Sequence, residues 1–243
     1  MKRKIGTAVA LLLAIVTLTA TTGCRWVKFP TFTESKTFSI QTVPNVRADI
    51  EQGVGELTVR PAAGMDAPLQ ADFTFAPESW RPVTSSSTEA STAVVRIVQP
   101  SDAGFNIFGY TRNVWNISLP IGHRTDLTVR LGAGNANVDL RGVDLTALDA
   151  EIGAGDLTLD LSGGRLYDLT ARIRFGAGNV TVRVSRRVGI RVVLREKGVG
   201  NMTFDGLRSQ GDVHVNDAYA GSGPKIDVLI SRGAGNITFE LVD

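Results

Sequence analysis

The sequence predicts an all-β protein, a single-stranded parallel β-solenoid with about 21–23 residues in each coil. Two observations support this prediction. A Gly-x-Gly motif occurs six times, and from its second to its fifth copy the starting positions are 21, 23 and 22 residues apart. After residue 23, no segment carries the 3.6-residue apolar period of an amphipathic helix. The motif glycines are Gly53 and Gly55, Gly132 and Gly134, Gly153 and Gly155, Gly176 and Gly178, Gly198 and Gly200, and Gly233 and Gly235.

Residues 1–23 are predicted to be a signal peptide. Lys2, Arg3 and Lys4 precede an apolar segment, residues 5–20, which is shorter than a membrane span requires. The segment leads to Cys24, the only cysteine. This resembles a bacterial lipoprotein signal, in which the cleavage site lies directly before a cysteine whose thiol takes a diacylglyceryl group, although Thr21 replaces the preferred leucine. The alternative is an ordinary secretory signal with an incidental cysteine, and both readings place the protein outside the cytoplasm.

The chain after this signal is nearly neutral. Lys2, Arg3 and Lys4 belong to the 26 basic residues, so 23 remain against 24 acidic ones. This balance does not favour a nucleic-acid partner. Residues 24–38 are interpreted as a lipidated cysteine with a tether, whose Trp26 and Phe29 either lie at the lipid surface or belong to a disordered linker.

Residues 39–243 are assigned to the solenoid, of which residues 39–125 form an irregular N-terminal part. Runs rich in β-branched and aromatic residues predict strands at 71–75, 93–98 and 114–119, separated by turn-rich insertions at 76–92 and 99–112.

Residues 126–243 form the regular part, in which residues alternate inward and outward after each motif. The second and fourth residues after the second glycine are predicted to point inward: Leu57, Ala136, Leu157, Val180, Met202 and Ile237, and Val59, Val138, Leu159, Val182, Phe204 and Phe239. The third residues are predicted to form a polar column on the outer side: Thr58, Asn137, Thr158, Thr181, Thr203 and Thr238.

Charged residues form two further columns. If successive repeats are neighbours, Glu51, Arg130, Glu151, Arg174 and Glu196 alternate in sign from coil to coil, as opposite-charge pairs between adjacent strands require. A second column is less regular and contains Asp139, Asp160, Arg183, Asp205 and Glu240. Ile190, Val192 and Leu194 alternate out of phase with Gly198, which predicts a one-residue bulge before that motif.

The glycine motifs are interpreted as sharp corners between two strands, where glycine adopts a positive φ without strain. The alanine or valine between the two glycines is predicted to fit a tight inner corner. Asn135, Asn179, Asn201 and Asn236 follow the motifs and are predicted to stack as an amide ladder. The general rule for parallel crossovers favours a right-handed coil.

The spacing widens between Gly198 and Gly233, which predicts a loop or hairpin inserted at 206–223, with a strand at 212–216. The last repeat strand is followed at once by Asp243, so the sequence predicts an incomplete final coil. Its exposed edge could recruit another copy of the chain.

The strand at 114–120 with Trp115 and Pro120, together with the motifs beginning at Gly132 and Gly153, resembles the toast-rack family of bacterial cell-envelope domains. It is similar as well to the β-strand-repeat, adhesin-like domains. The resemblance covers residues 40 to 243 and implies the fold and an envelope location. It brings no catalytic residue. Because members often carry transmembrane helices, a lipid anchor in their place puts a signalling role in doubt.

The sequence predicts no catalytic residue, no metal and no cofactor. The glycine motifs lack the third glycine of a dinucleotide fingerprint and the P-loop lysine, and each leads into a strand. His123 and His214 have no acid at metal-ligand spacing. Asp139, Asp160 and Asp205 are the candidates for a glycan-cleaving pair, but a solvated, partly paired face is favoured, because Arg183 interrupts their column and no aromatic sugar platform lies beside them.

Two irregular features are candidate interaction surfaces. Nine basic residues lie at 165–197, and of these Arg186, Arg187 and Arg191 could meet anionic headgroups, acidic wall polymers or an envelope protein, or could serve the charge columns. Phe105, Phe108 and Tyr110 form an aromatic loop that either contacts a protein or caps the open end of the stack.

The leading hypothesis is a non-enzymatic, lipid-anchored envelope module with a structural or adhesin-like role. The alternatives are an envelope-stress sensor acting with a membrane signalling protein and, less favoured, a glycan lyase or hydrolase.

Overall fold

Strands account for most of the chain in the computed structural model, which describes residues 27–28, 30–40, 43–64, 67–100, 109–196 and 198–243. The strands are β1 (Val27–Lys28), β2 (Phe32–Phe38), β3 (Asn45–Pro61), β4 (Leu69–Ala76), β5 (Val83–Glu89), β6 (Thr92–Val98), β7 (Gly109–Tyr110), β8 (Arg112–Leu119), β9 (Arg124–Asp139), β10 (Leu145–Ala154), β11 (Leu157–Leu161), β12 (Leu169–Ser185), β13 (Gly189–Glu196), β14 (Met202–Phe204), β15 (Arg208–Gln210), β16 (Val213–Val215) and β17 (Lys225–Val242). The described helices are two short 3-10 turns, Glu78–Trp80 and Asp217–Ala220. Within the described ranges, no helix is long and apolar enough to cross a membrane.

Each coil consists of a strand, a glycine corner, a second strand and a returning turn. In β9 the corner lies at residues 132–134, and the residues on both sides pair in parallel with the neighbouring coils. The strands before the corners form a first sheet and those after the corners a second sheet. Apolar side chains from both sheets fill the space between them, so the predicted all-β fold with stacked parallel strands is observed. The handedness of the coil stays a prediction.

The order of the coils differs from the order of the repeats. At one end of the stack, β6 and β8 together form the first coil. The coils of β3, β9, β10–β11, β12 and β17 follow in that order, and β13 and β14 together form the last coil. The strand that ends at Val242 therefore lies inside the stack, between β12 and the Gly198 coil. The expectations that successive repeats are always neighbours and that the last repeat forms an exposed edge are wrong. The 206–223 insertion supplies the chain length that lets β17 return between two coils.

Antiparallel strands cover the ends of the stack. β5 covers β6, and β4 with β2 covers β8. At the opposite end the β15–β16 hairpin, which forms the predicted insertion, covers β13. Among the described strands β14 pairs only with β17. The sequence interpretation placed Phe32–Phe38 in the tether and β5 in a turn-rich insertion, whereas both are paired strands.

The predicted inward positions are confirmed in every coil except the terminal one. Ten of the twelve side chains are buried, while Met202 and Phe204 on β14 are only half-buried because no coil covers them. The bulge before Gly198 is confirmed, since the register of β13 on β17 shifts between Leu194 and Glu196.

The two glycines of each motif are required for different reasons. The second has a positive φ in every copy, as in Gly155 with φ 126°. The first, apart from Gly198, has no positive φ, but at Gly132, Gly153, Gly176 and Gly233 a side chain would strike the backbone of the adjacent corner, whereas at Gly53 it would meet only the Gln99 side chain. The residue between them is exposed in four copies, Ala154, Ala177, Val199 and Ala234, so the prediction that it fits an inner corner is wrong there; Val54, at one end of the column, packs against the core.

Side chains replace the missing neighbours at both ends of the column of corners. At one end Gln99 Oε1 accepts hydrogen bonds from the backbone N–H groups of Gly53 (2.9 Å) and Val54 (3.2 Å). At the other end the buried guanidinium of Arg232 donates to the carbonyls of Gly200 (2.9 Å) and Asn201 (3.4 Å). The Gln99 contacts satisfy backbone N–H groups that a further coil would otherwise bind. The Asn201 carbonyl also accepts from the backbone N–H of Ile237, so Arg232 reinforces the terminal corner.

Candidate ligand-binding face

The outer side of the second sheet carries one straight line of polar side chains. The predicted threonine column is confirmed, and it continues through Asn116 of β8, which pairs with Thr58. We call these seven residues the polar row; in spatial order they are Asn116, Thr58, Asn137, Thr158, Thr181, Thr238 and Thr203. Their neighbours in each strand are mostly buried, so the polar row faces solvent.

The polar row differs from the adjacent row of amides in its hydrogen bonding. Asn179 donates to Asp156 (2.9 Å), Asn236 donates to Asn179 (2.9 Å), and the backbone N–H of Asn201 donates to Asn236 (3.1 Å). The predicted amide ladder is therefore confirmed, with Asp156 as an additional member. By contrast, no side chain of the polar row forms a hydrogen bond with another described residue. Its hydroxyl and amide groups remain available to solvent or a ligand.

The charged row on the other side of the polar row is internally compensated. Asp139 and Asp160 are adjacent and would repel each other, but Arg141 lies 2.7 Å from the Asp139 carboxylate and 3.7 Å from that of Asp160. The Arg141 hydrogen bond lowers the pKa of Asp139 below its ordinary value. Further along, Arg183 pairs with Glu240 at 2.8 Å. This pairing explains why the column is irregular in the sequence, since its partners include a turn residue that repeat spacing cannot identify.

The outer side of the first sheet carries the predicted charge ladder. Arg130 lies 3.1 Å from Glu51 and 3.9 Å from Glu151, and Arg174 lies 2.9 Å from Glu151. The hydrogen bond to Glu151 raises the pKa of Arg174. Ser231 of β17 then separates Arg174 from Glu196, so the alternation does not extend to the fifth residue.

The basic residues at 165–197 are distributed over several surfaces. Arg186 pairs with Asp243 (3.3 Å) and Arg191 with Asp227 (2.8 Å), while Arg187 is exposed at the turn between β12 and β13. Arg165 is partly buried in a returning turn, and burial lowers its pKa to about 10. An interaction role for Arg186, Arg187 and Arg191 stays a prediction.

The remaining candidate residues lie mostly outside the described residues. This holds for Cys24, Phe105 and Phe108, whereas the backbone of Tyr110 pairs with Lys28 in the two-stranded β1–β7 sheet. Near this end of the stack a groove of about 590 Å³ runs beside the corners and is lined by Glu56, Trp80, Arg112 and Asn135, among others.

The described residues contain no group of three or more His, Cys, Asp or Glu side chains that could hold a metal ion. His214 is buried, its Nδ1 lies 2.7 Å from Ser209 Oγ, and its ring stacks on Phe204 at 3.7 Å between centroids. Its Nε2 is buried without a hydrogen-bond partner. The His214 ring projects from β16 of the hairpin and packs on Phe204 at the end of the core.

Comparison with known proteins agrees with this architecture. Residues 28–183 match the family model for the N-terminal domain of toast_rack, DUF2154. The chain belongs to the toast-rack family. A crystal structure of a proposed cell adhesion protein from Clostridium sporogenes is similar to this toast-rack chain with a TM-score of 0.80 and 25% identity, over 88% of this chain and 100% of that one.

More distant structures are also similar to this toast-rack chain. A proposed adhesin from Bacteroides fragilis is 12% identical with a TM-score of 0.30, and a proposed lipid-binding protein from Parabacteroides distasonis is 9% identical with a TM-score of 0.24. Each covers 88% of this chain, over 100% and 99% of its own length. A search of curated proteins found no match.

Proposed function

We propose that this toast-rack protein is a non-enzymatic, adhesin-like binding module, held by a lipid at Cys24 on the outer side of a bacterial membrane. The polar row is the main structural observation behind this proposal, because it offers a broad binding surface whose side chains have no partners in the described chain. The likeness to the proposed cell adhesion protein from Clostridium sporogenes, over the whole length of that protein, supports the same role. Acidic wall polymers or an envelope protein are proposed as further partners at Arg186, Arg187 and Arg191.

The anchor is tested by fractionating cells that express the full chain and by labelling them with an alkyne analogue of palmitate. The wild type is expected in the membrane fraction with the label, and Cys24→Ala is expected to carry no label and to retain its signal segment. Thr17→Ala serves as the control within the same segment and should behave as the wild type. Labelling of Cys24→Ala at the level of the wild type would exclude this anchor.

The binding role is tested by incubating the labelled, purified protein with intact bacterial cells and with isolated envelopes. Saturable retention without release of soluble sugar is expected. If the protein is not retained on any cell surface, or if it generates new reducing ends from envelope glycans, the adhesin-like, non-enzymatic assignment is wrong.

A further inference from the structure

We propose that the polar row binds an uncharged, extended β-linked glycan chain that lies along the stack, with about one sugar to each coil. This inference rests on the adhesin-like function proposed above and names the class of its ligand. Three properties of the polar row lead to it, namely its periodicity, its free hydrogen-bonding capacity and its lack of charge.

The periodicity is set by the parallel register. Seven strands place one polar side chain each on the same line, from Asn116 to Thr203. Adjacent strands are about 4.8 Å apart, so the polar row is roughly 29 Å long. A ligand that uses the whole row must repeat its own hydrogen-bonding groups at about the same interval. In an extended β-linked glycan the length of one sugar is close to the thickness of one coil.

The chemistry of the polar row matches that of sugar hydroxyls. Each threonine hydroxyl donates one hydrogen bond and accepts others, and each asparagine amide does both. None of these seven groups is used by another described residue, although the amide row beside it is bonded from coil to coil. A sugar hydroxyl, which is itself donor and acceptor, can therefore pair with every position of the row.

The charge on this face favours an uncharged ligand. The polar row itself has no charge, and in the flanking row Arg141 pairs with Asp139 and contacts Asp160, while Arg183 pairs with Glu240. Asp72, Glu56, Asp156 and Asp205 also adjoin the polar row and form no ion pair with a described residue, so the face repels a polyanion. Because these carboxylates do not recur in every coil, they offer no regular series of charges to a polycation. The part of the face that does recur in every coil is the uncharged polar row, which is complementary to a neutral, polar polymer.

The polar row contains no aromatic ring on which a sugar could stack. Each sugar is held by hydrogen bonds that replace hydrogen bonds to water, and each gives only a small net gain. Binding must therefore add up over several coils, so affinity depends strongly on the length of the glycan. This dependence separates the proposal from a small pocket that recognises one or two sugars.

The test is a titration of the purified protein with chitohexaose and cellohexaose, and with the corresponding disaccharides, monitored by NMR shifts and calorimetry. At least one hexasaccharide should bind at least tenfold more tightly than its disaccharide, with shifts at the amides of β11, β12 and β17. The double variant Thr158→Val, Thr181→Val should weaken hexasaccharide binding at least tenfold. Valine keeps the β-branched shape that the strands favour, so the fold should be retained.

Thr128→Val with Thr170→Val is the matched control, because these threonines lie on β9 and β12 on the outer side of the first sheet. This variant should bind within twofold of the wild type. The shift map of the wild type keeps the test valid even if a variant fails to fold. The proposal is overturned if neither hexasaccharide binds, if affinity is independent of length, if the shifts lie elsewhere, or if the two double variants behave alike.

Tighter binding of dextran sulfate at the polar row would also overturn the proposal, since the row would then select a polyanion. If the protein is retained on cells but neither hexasaccharide binds, the adhesin-like function survives and only the glycan assignment fails.

Discussion

Gly155→Val tests the stacked glycine corner most directly. Gly155 has φ 126°, a conformation that costs an L-residue about 1–3 kcal/mol. A Cβ there would also lie 2.7 Å from the Gly134 carbonyl carbon and closer still to its oxygen, so one coil must move. Forcing extra atoms into a packed site costs about 1–3 kcal/mol more. We therefore expect Gly155→Val to lose about 4 kcal/mol of unfolding free energy.

Urea unfolding monitored by tryptophan fluorescence measures this loss. With a slope of about 2 kcal/mol per molar urea, the midpoint should fall by roughly 2 M. Two controls separate the contributions. Gly142 has φ 80° and no neighbour within 4 Å of a built Cβ, so Gly142→Val carries only the backbone strain. Gly153 has no positive φ, but its Cβ would meet the Gly132 backbone, so Gly153→Val carries only the steric term.

The three variants together can refute the reasoning. The shift for Gly155→Val should approximate the sum of the shifts for Gly142→Val and Gly153→Val. If Gly155→Val unfolds at the same urea concentration as Gly142→Val, the corners are not in backbone contact as described.

Two further outcomes are expected. Burial lowers the pKa of His214 below its ordinary value of about 6.5, so the unfolded chain takes up a proton before the folded one does; stability should fall as pH drops below about 6.5. In urea titrations at several pH values, His214→Phe should remove this loss of stability, while the control His123→Gln should retain it. An unchanged pH dependence in His214→Phe would show that another group is responsible. Arg232→Met should cost about 2–3 kcal/mol, because the carbonyls at residues 199–201 lose a charged donor. In this variant, hydrogen exchange should accelerate at 198–204 more than at 176–185. The control Arg172→Met, on the exposed side of β12, should keep its unfolding free energy within about 0.5 kcal/mol of the wild type. Uniform acceleration along the chain would contradict a local capping role.

The glycine corner, the inward positions and the threonine column could be predicted because each depends only on alternation within one repeat. Leu159 and Thr158 point to opposite sides wherever their strand is placed, since successive side chains alternate. The asparagine ladder was predictable for the same reason, because identical residues at the same place in each coil become neighbours in any parallel stack.

Part of the candidate face could not be derived in this way. Asn116 joins the polar row through β8, which lies outside the regular repeats, and Arg141 compensates Asp139 and Asp160 from a returning turn. The outward direction of Ala154 was missed because a small residue between two glycines suits either side of a corner until the backbone path is known. Arg232 carries no repeat signature, and its partners, the carbonyls of its own corner and of the Gly198 coil, become apparent only once the two coils are stacked.

The sequence by itself determined the content of each coil, whereas the tertiary structure decided the order of the coils. Repeats of similar pattern are nearly interchangeable as partners, so alternation cannot tell whether β12 pairs with the Gly198 coil or with β17. The full-length register of β17 on β12, with the Arg183–Glu240 pair and the Asn179–Asn236 bond, settles this choice. Such pairing joins segments that are distant in the sequence. Its free energy depends on both paired strands and on how well the β15–β16 hairpin covers the edge of the terminal coil.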